Sequence, residues 1–294
     1  MIERMSGLSD EAGWDLATQI RAHRSLNWKY IELRNISGQP VDTLTGSLAA
    51  NVARQLDDAG LKVNCLASRI GNWQRSVDYD FDTEIGELTR LIEISQLTGN
   101  KHIRIMSYLN NGYCDEKWRD LAINRIVRLV DLAAQGGIEL VHENCSGWAG
   151  INAQNAKYLL DSIDSPYLKL LLDLGNGLSY QNYPEEFIQK SFNRIVHVHI
   201  KDGIRKKNGN VFYTFPGQGV ARLKELIIHL LKLGYKGLFA IEPHIDIIVH
   251  AKQERLNRYG LNKNYLTYGR MSQELVYDAM ETALNSPSFY KGEM

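Results

Sequence analysis

Glu143, Asp173, His199 and Glu242 are the residues of this sequence whose types and placement suit a divalent cation. Each stands at or near the end of an apolar, β-rich run: Ile138–Glu143, Leu168–Leu174, Ile195–Lys201 and Gly237–Glu242. Alone, each has an ordinary explanation, as a solvated strand end or a hydrogen-bonded structural histidine. Together, three carboxylates and one imidazole at the ends of four consecutive strands would repel and lose solvation unless a cation joined them. Oxygen and imidazole donors suit Mn2+ first, then Mg2+, Co2+ or Zn2+. Cys65, Cys114 and Cys145 form no CxxC pair, so a thiolate site does not fit.

Those four runs need a frame that brings their ends together. Three earlier runs have the same character: Tyr30–Arg34, Leu61–Ala67 and His102–Ser107. An eighth is expected near Ile2–Leu8. Between the runs, apolar residues recur at helical spacing, as in Leu16, Ile20 and His23, or Ile85, Leu88, Leu91 and Ile92. The same holds for Leu121, Ile123, Ile126, Val127 and Val130, and for Leu223, Leu226, Ile227 and Leu230. Gly60, Gly99, Gly136 or Gly137, and Gly234 stop these helices and lead into the next strand. Such alternation predicts a parallel sheet, and eight units over 294 residues predict a closed (β/α)8 TIM barrel formed by residues 1–294 as one domain. The rival is an open doubly wound sheet. Its GxGxxG marker is absent, and Gly217-Gln218-Gly219 is a lone GxG after a late strand. Ala251–Arg270 reads as a lid, an oligomer contact or a solvated connection, with a last helix over about Ser272–Leu284.

Bulk properties exclude several partners. Lys+Arg and Asp+Glu are both 34, so no net charge draws the chain to nucleic acid or anionic membrane. Arg205-Lys206-Lys207 is a short basic run that reads as a solvated loop. No stretch approaches the roughly 20 apolar residues of a membrane span. The N-terminus lacks a signal-peptide pattern, and three sparse cysteines suit a reducing compartment, so a cytoplasmic location is expected. Self-association is left open.

The ordered set of motifs resembles the xylose isomerase-like TIM barrel superfamily, in its sugar phosphate isomerase/epimerase branch. The pieces are Gly7-Leu8-Ser9-Asp10-Glu11, Tyr30-Ile31-Glu32-Leu33-Arg34, His142-Glu143-Asn144 and Asp173-Leu174-Gly175-Asn176. His197-Val198-His199-Ile200-Lys201-Asp202, Pro216-Gly217-Gln218-Gly219 and Gly234-Tyr235-Lys236-Gly237 before Ile241-Glu242 complete it. The resemblance implies that Glu143, Asp173, His199 and Glu242 ligate the metal and that Glu143 and Glu242 exchange protons. Gln218 stands where the family often has Glu, and Asn176 where many members have His. Asn176 can bond a hydroxyl but carries no proton at neutral pH.

The chemistry implied is isomerisation or epimerisation of a sugar or related polyol ketone. A carboxylate removes a proton beside the carbonyl, a divalent metal stabilises the enediolate, and an acid returns the proton elsewhere. Arg34, His197, Lys201, Asn176 and His244 are candidate substrate contacts, and Trp14, Trp73 and Trp148 could stack on a sugar ring. Three alternatives share the frame: a dehydratase of a keto-polyol such as an inosose, an abasic-site endonuclease, and a barrel without catalysis.

Overall fold

Eight strands make one parallel sheet: β1 Met5–Gly7, β2 Tyr30–Leu33, β3 Lys62–Ala67, β4 His102–Ser107, β5 Glu139–Gly147, β6 Leu168–Asp173, β7 Ile195–Ile200 and β8 Leu238–Ile241. Their order in space is β1-β8-β7-β6-β5-β4-β3-β2. Leu8, just after β1, bridges to Glu32 of β2 and brings the two sheet edges together. The expected (β/α)8 TIM barrel is therefore the architecture. The computed structural model describes residues 3–245, 247–248, 253–254 and 261–285.

Helices cover the sheet: α1 Leu16–Ser25, α2 Gly46–Asp58, α3 Phe81–Thr98, α4 Asp115–Gln135, α5 Ala153–Ile163, the single turn α6 Gly177–Tyr180, α7 Pro184–Ser191, α8 Leu223–Lys232 and α9 Lys263–Asn285. The four helical patterns read from the sequence fall in α1, α3, α4 and α8. Gly99 ends α3 in the left-handed region (φ 72°), and after α4 it is Gly137 (φ 69°), not Gly136, that turns the chain. The last helix starts nine residues earlier than the apolar pattern predicts, at Lys263 instead of Ser272. Asn262 caps it, its side-chain oxygen accepting the Asn264 N–H at 2.9 Å. Buried Tyr265 and Tyr268 supply the core face that a search for aliphatic spacing passes over. Residues 251, 252 and 255–260 of the expected lid or connection lie outside the described residues.

Most apolar burial lies in one large cluster spanning strands and helices, from Met5 and Leu16 to Tyr268 and Val276. A second, small cluster joins Cys65, Val141 and Leu171 from β3, β5 and β6. The barrel also buries many polar groups, including Ser6, Glu32, Asn64, Arg104, His197 and His199. Polar residues are thus not confined to the strand ends. They are tolerated because they pair with one another: Ser6 Oγ donates to Asn64 Oδ1 at 2.5 Å, and His197 Nε2 donates to Glu32 Oε2 at 2.7 Å.

His23 of α1 shows how burial makes stability pH-dependent. Its Nδ1 donates to Gln19 O at 2.9 Å, and Tyr265 Oη lies 3.3 Å from Nε2, tying α1 to α9. Burial pushes its pKa down to about 4. An unfolded histidine titrates at about 6.5, so between these values the unfolded chain binds more protons. The stabilisation is complete above about pH 6.5 and is lost as pH falls toward 4, amounting to about 3 kcal/mol. Urea midpoints at pH 7 and pH 4.5 should differ less in His23→Gln than in the parent; equal differences would remove His23 as the cause.

Candidate metal centre

Parallel register brings the four expected residues into one place. Asp173 at the end of β6 pairs with His199 of β7, and His199 pairs with Ala240 of β8, two residues before Glu242. Glu143 of β5 pairs with Leu171 of β6, two residues before Asp173. All four are buried, and one ligand atom from each lies within 4.8 Å of the others. Two flanking groups, Glu32/His197/His199 and Glu11/Glu242/His244, meet the same distance condition.

Glu143, Asp173 and His199 each have one atom used by the protein and another turned toward the cluster. Glu143 Oε1 accepts from Asn176 Nδ2 at 2.9 Å. Asp173 Oδ1 accepts the backbone N–H groups of Gly175 and Asn176, both at 2.7 Å. His199 Nε2 faces Glu32 Oε1 at 3.1 Å. The opposite atoms, Glu143 Oε2, Asp173 Oδ2 and His199 Nδ1, are buried with no hydrogen-bond partner among the described residues. Three converging nitrogen and oxygen atoms, two of them facing a buried cation and none hydrogen-bonded among the described residues, make a donor set of the kind a divalent ion takes, so the residues present fit one.

The cations around the cluster are unequally shared. Glu242 has both oxygens occupied, Oε1 by Arg34 Nη1 at 2.9 Å and Oε2 by Lys201 Nζ at 2.5 Å. Burial works to raise its pKa, but Lys201, then His244 and His199, hold the carboxyl well below the usual range. Lys201 Nζ also lies 3.0 Å from Asp173 Oδ2. Burial pushes Asp173 up to about 6 against the pull of Lys201. For His199, burial lowers the pKa while Glu32 and Glu242 raise it, to about 10. Glu143 Oε2 is 3.3 Å from Arg104 Nη1.

Of the five expected substrate contacts, Lys201 and Asn176 lie directly against the cluster. Arg34 is instead spent on carboxylates: Nε donates to Asp10 at 2.9 Å, Nη2 to Glu11 at 3.1 Å and Nη1 to Glu242. It positions Glu242. His197 sits one inward-facing position below His199, bonded to Glu32, and this pairing, not a sugar hydroxyl, occupies its Nε2. His244 is buried, with Nδ1 3.0 Å from Glu11 and its ring edge-on to Tyr213. Trp148 is buried and packs edge-on against Tyr158, so it stacks within the protein. Gln218 is exposed.

Glu32, Arg104, Asp10 and Glu11 were not singled out by type or spacing. Glu32 and Arg104 alternate with apolar neighbours in their strands, a pattern that fits a solvent-facing side as well as a barrel interior. Asn144 has a local role: its side chain both donates to Asp173 O and accepts from Asp173 N, at 3.0 and 2.6 Å, stitching β5 to β6. Gly175 permits the approach of β6 and β7, because a Cβ there would overlap Lys201 O and stand 2.7 Å from Lys201 Cβ. Gly175→Ala should therefore displace the end of β7, destabilise by about 1–3 kcal/mol and weaken divalent-metal binding. Thermal unfolding and metal titration read the two effects, and an unchanged metal affinity would contradict the link.

The chain belongs to the xylose isomerase-like TIM barrel family, whose model matches residues 20–262. It is similar to the inosose dehydratase of Geobacillus thermodenitrificans, 29% identical over 148 residues, covering 46% of this chain and 49% of that protein. The match thus spans about half the length of that relative. By structure it is similar to L-ribulose 3-epimerase, with a TM-score of 0.74 at 15% identity, covering 99% of this chain and 100% of the other. It is likewise similar to the IolI protein with a bound zinc atom, with a TM-score of 0.73 at 15% identity, covering 96% and 100%. Among the described residues no helix is long and apolar enough to cross a membrane.

Proposed function

We propose that this chain is a divalent-metal-dependent isomerase or epimerase of a polyol ketone, in keeping with the sugar isomerase/epimerase branch of its family. The observation that carries the reading is the convergence of Glu143 Oε2, Asp173 Oδ2 and His199 Nδ1, buried and without hydrogen bonds among the described residues, beside Glu242. A divalent ion held by these four residues would polarise the substrate carbonyl and favour negative charge beside it. The donor set serves Mn2+, Mg2+, Co2+ and Zn2+, and the zinc-bound IolI protein shares the fold.

The two candidate proton carriers differ in environment. Glu242 is fixed as an anion between Arg34 and Lys201. Glu143 has one oxygen steadied by Asn176 and the other without a hydrogen bond among the described residues. Glu143 is therefore the better placed to take a proton from the carbon next to the carbonyl, with Asn176 aiming it. The Lys201–Glu242 pair, across the cluster, can return a proton to the opposite face or the neighbouring carbon. A substrate proton removed and one restored leave the formula unchanged.

Dehydration at the same site is the second reading, favoured by the inosose dehydratase likeness. There Glu143 takes the proton beside the carbonyl, the bond to the β-hydroxyl breaks as the Lys201 ammonium protonates the departing oxygen to water, and the proton held by Glu143 restores the ammonium through solvent, so the net loss is one water. Metal-loaded protein incubated with ketohexoses and with keto-inositols in D2O tests both. Deuterium at carbon with an otherwise unchanged formula supports isomerase or epimerase; loss of one water supports the dehydratase. No exchange and no product with either class would sink both.

A further inference from the structure

Glu32 is fully buried on β2 and lies across the barrel from β7. Its two oxygens face two imidazoles of the same strand, Oε2 at 2.7 Å from His197 Nε2 and Oε1 at 3.1 Å from His199 Nε2. We infer that Glu32 is the positioning residue that decides which nitrogen of His199 meets the metal, and that His197 holds Glu32 in place for this task. The inference rests on the metal-site reading above and goes further by assigning roles to two residues that are not themselves among the four ligand candidates.

A carboxylate that is ionised only accepts hydrogen bonds, so both Nε2 atoms facing it must carry hydrogen. His199 then turns Nδ1 the other way, toward Glu242 Oε2 at 3.6 Å and Asp173 Oδ2 at 3.8 Å. That nitrogen has no hydrogen-bond partner among the described residues. The two rings stand edge to face, with centroids 5.1 Å apart and planes at 86°. Asn64, itself bonded to Ser6, lies beside the pair, its Nδ2 3.4 Å from the His197 Nε2 that donates to Glu32. A carboxylate behind a ligating imidazole fixes its tautomer and makes the ligand nitrogen more basic, and its loss typically lowers metal affinity about 10–100-fold. A merely structural buried ion partner would instead change stability and leave the ligating nitrogen undecided.

Glu32→Gln separates these. Its amide offers one acceptor and one donor, so it cannot serve two Nε2–H groups, and one imidazole must turn its lone pair inward. Zn2+ titrated into the parent and the variant should show about a 10–100-fold weaker site in Glu32→Gln, with Glu32→Asp recovering part of the loss. The unaltered protein supplies a readout that does not depend on the variant folding. With 15N-labelled histidine and Zn2+ bound, His199 should show a metal-bound Nδ1 and a proton on Nε2 protected from exchange. Coordination through Nε2, or equal Zn2+ affinity in parent and Glu32→Gln, would overturn the inference. The expected zinc and nitrogen signals in a protein that turns over no polyol ketone would uphold it while ending the functional proposal.

Discussion

Glu143→Gln is expected to lower kcat on a polyol ketone about 10^2–10^4-fold, the usual contribution of a positioned proton carrier. The replacement keeps shape and keeps an oxygen for Asn176 Nδ2, now 2.9 Å from Glu143 Oε1. It loses the oxygen that has no hydrogen-bond partner among the described residues, and with it both a metal donor and the base. Glu242→Gln makes the informative comparison. Glu242 compensates two buried cations, Arg34 and Lys201, whereas Glu143 faces Arg104 at 3.3 Å. Removing one partner of buried ion pairs costs about 3 kcal/mol or more. Both variants should therefore lose stability as well as turnover: Glu143→Gln leaves buried Arg104 without its ion-pair partner among the described residues, while after Glu242→Gln Arg34 keeps Asp10 and Glu11 and Lys201 keeps Asp173. Single-turnover kinetics at saturating metal, beside urea unfolding of both variants, distinguish the two losses. Turnover by Glu143→Gln within threefold of the parent would remove Glu143 from the proton-transfer role.

The frame was more legible than the second layer of the site. His102–Ser107 was readable to the residue, because a β-rich run there is bounded by Gly99 on one side and by polar loop residues on the other. The fifth strand runs on past the expected Glu143 to Gly147, since Gly147 still pairs with Ser107 although the added residues are polar or small. The first strand is only Met5–Gly7, too short to show a period. Glu143, Asp173, His199 and Glu242 stood out because they follow apolar strands in consecutive barrel units. Glu32 and Glu11 did not, because their meaning comes from closure, and Arg104 did not, because its partner Glu143 is fixed only by the pairing of β4 with β5. Glu32 meets His197 and His199 only when β2 and β7 curve to face each other across the barrel, a separation of 165 and 167 residues. Glu11 meets His244 across 233 residues. No local spacing encodes such pairs.

Asp202 turns part of the resemblance into mechanics, and its loss should be the largest stability effect outside the ligand group. Its side chain accepts four backbone N–H groups: Oδ1 from Gly203 at 2.9 Å and Ala221 at 3.1 Å, and Oδ2 from Gly217 at 2.8 Å and Gly219 at 3.1 Å. The carboxylate thus gathers the loop after β7, including the Pro216-Gly217-Gln218-Gly219 turn, onto the strand that carries His199 and Lys201. Its glycines fit this use: a Cβ on Gly219 would overlap Asp202 Oδ1 and the Gly203 backbone. Asp202→Ala leaves four donors seeking water or new partners. At about 1–3 kcal/mol for each donor left unsatisfied, and with partial relaxation, a loss of about 3–5 kcal/mol is expected. Asp202→Asn should recover little, because its amide presents two hydrogens where two backbone N–H groups already point. Thermal unfolding measures this loss. Since Lys201 precedes Asp202 and pairs with Glu242, metal affinity should fall as well, even under conditions where the variant is fully folded. An Asp202→Ala protein as stable as the parent would mean that the turn holds its shape without the carboxylate. A stable variant with weakened metal binding would confine Asp202 to setting the end of β7.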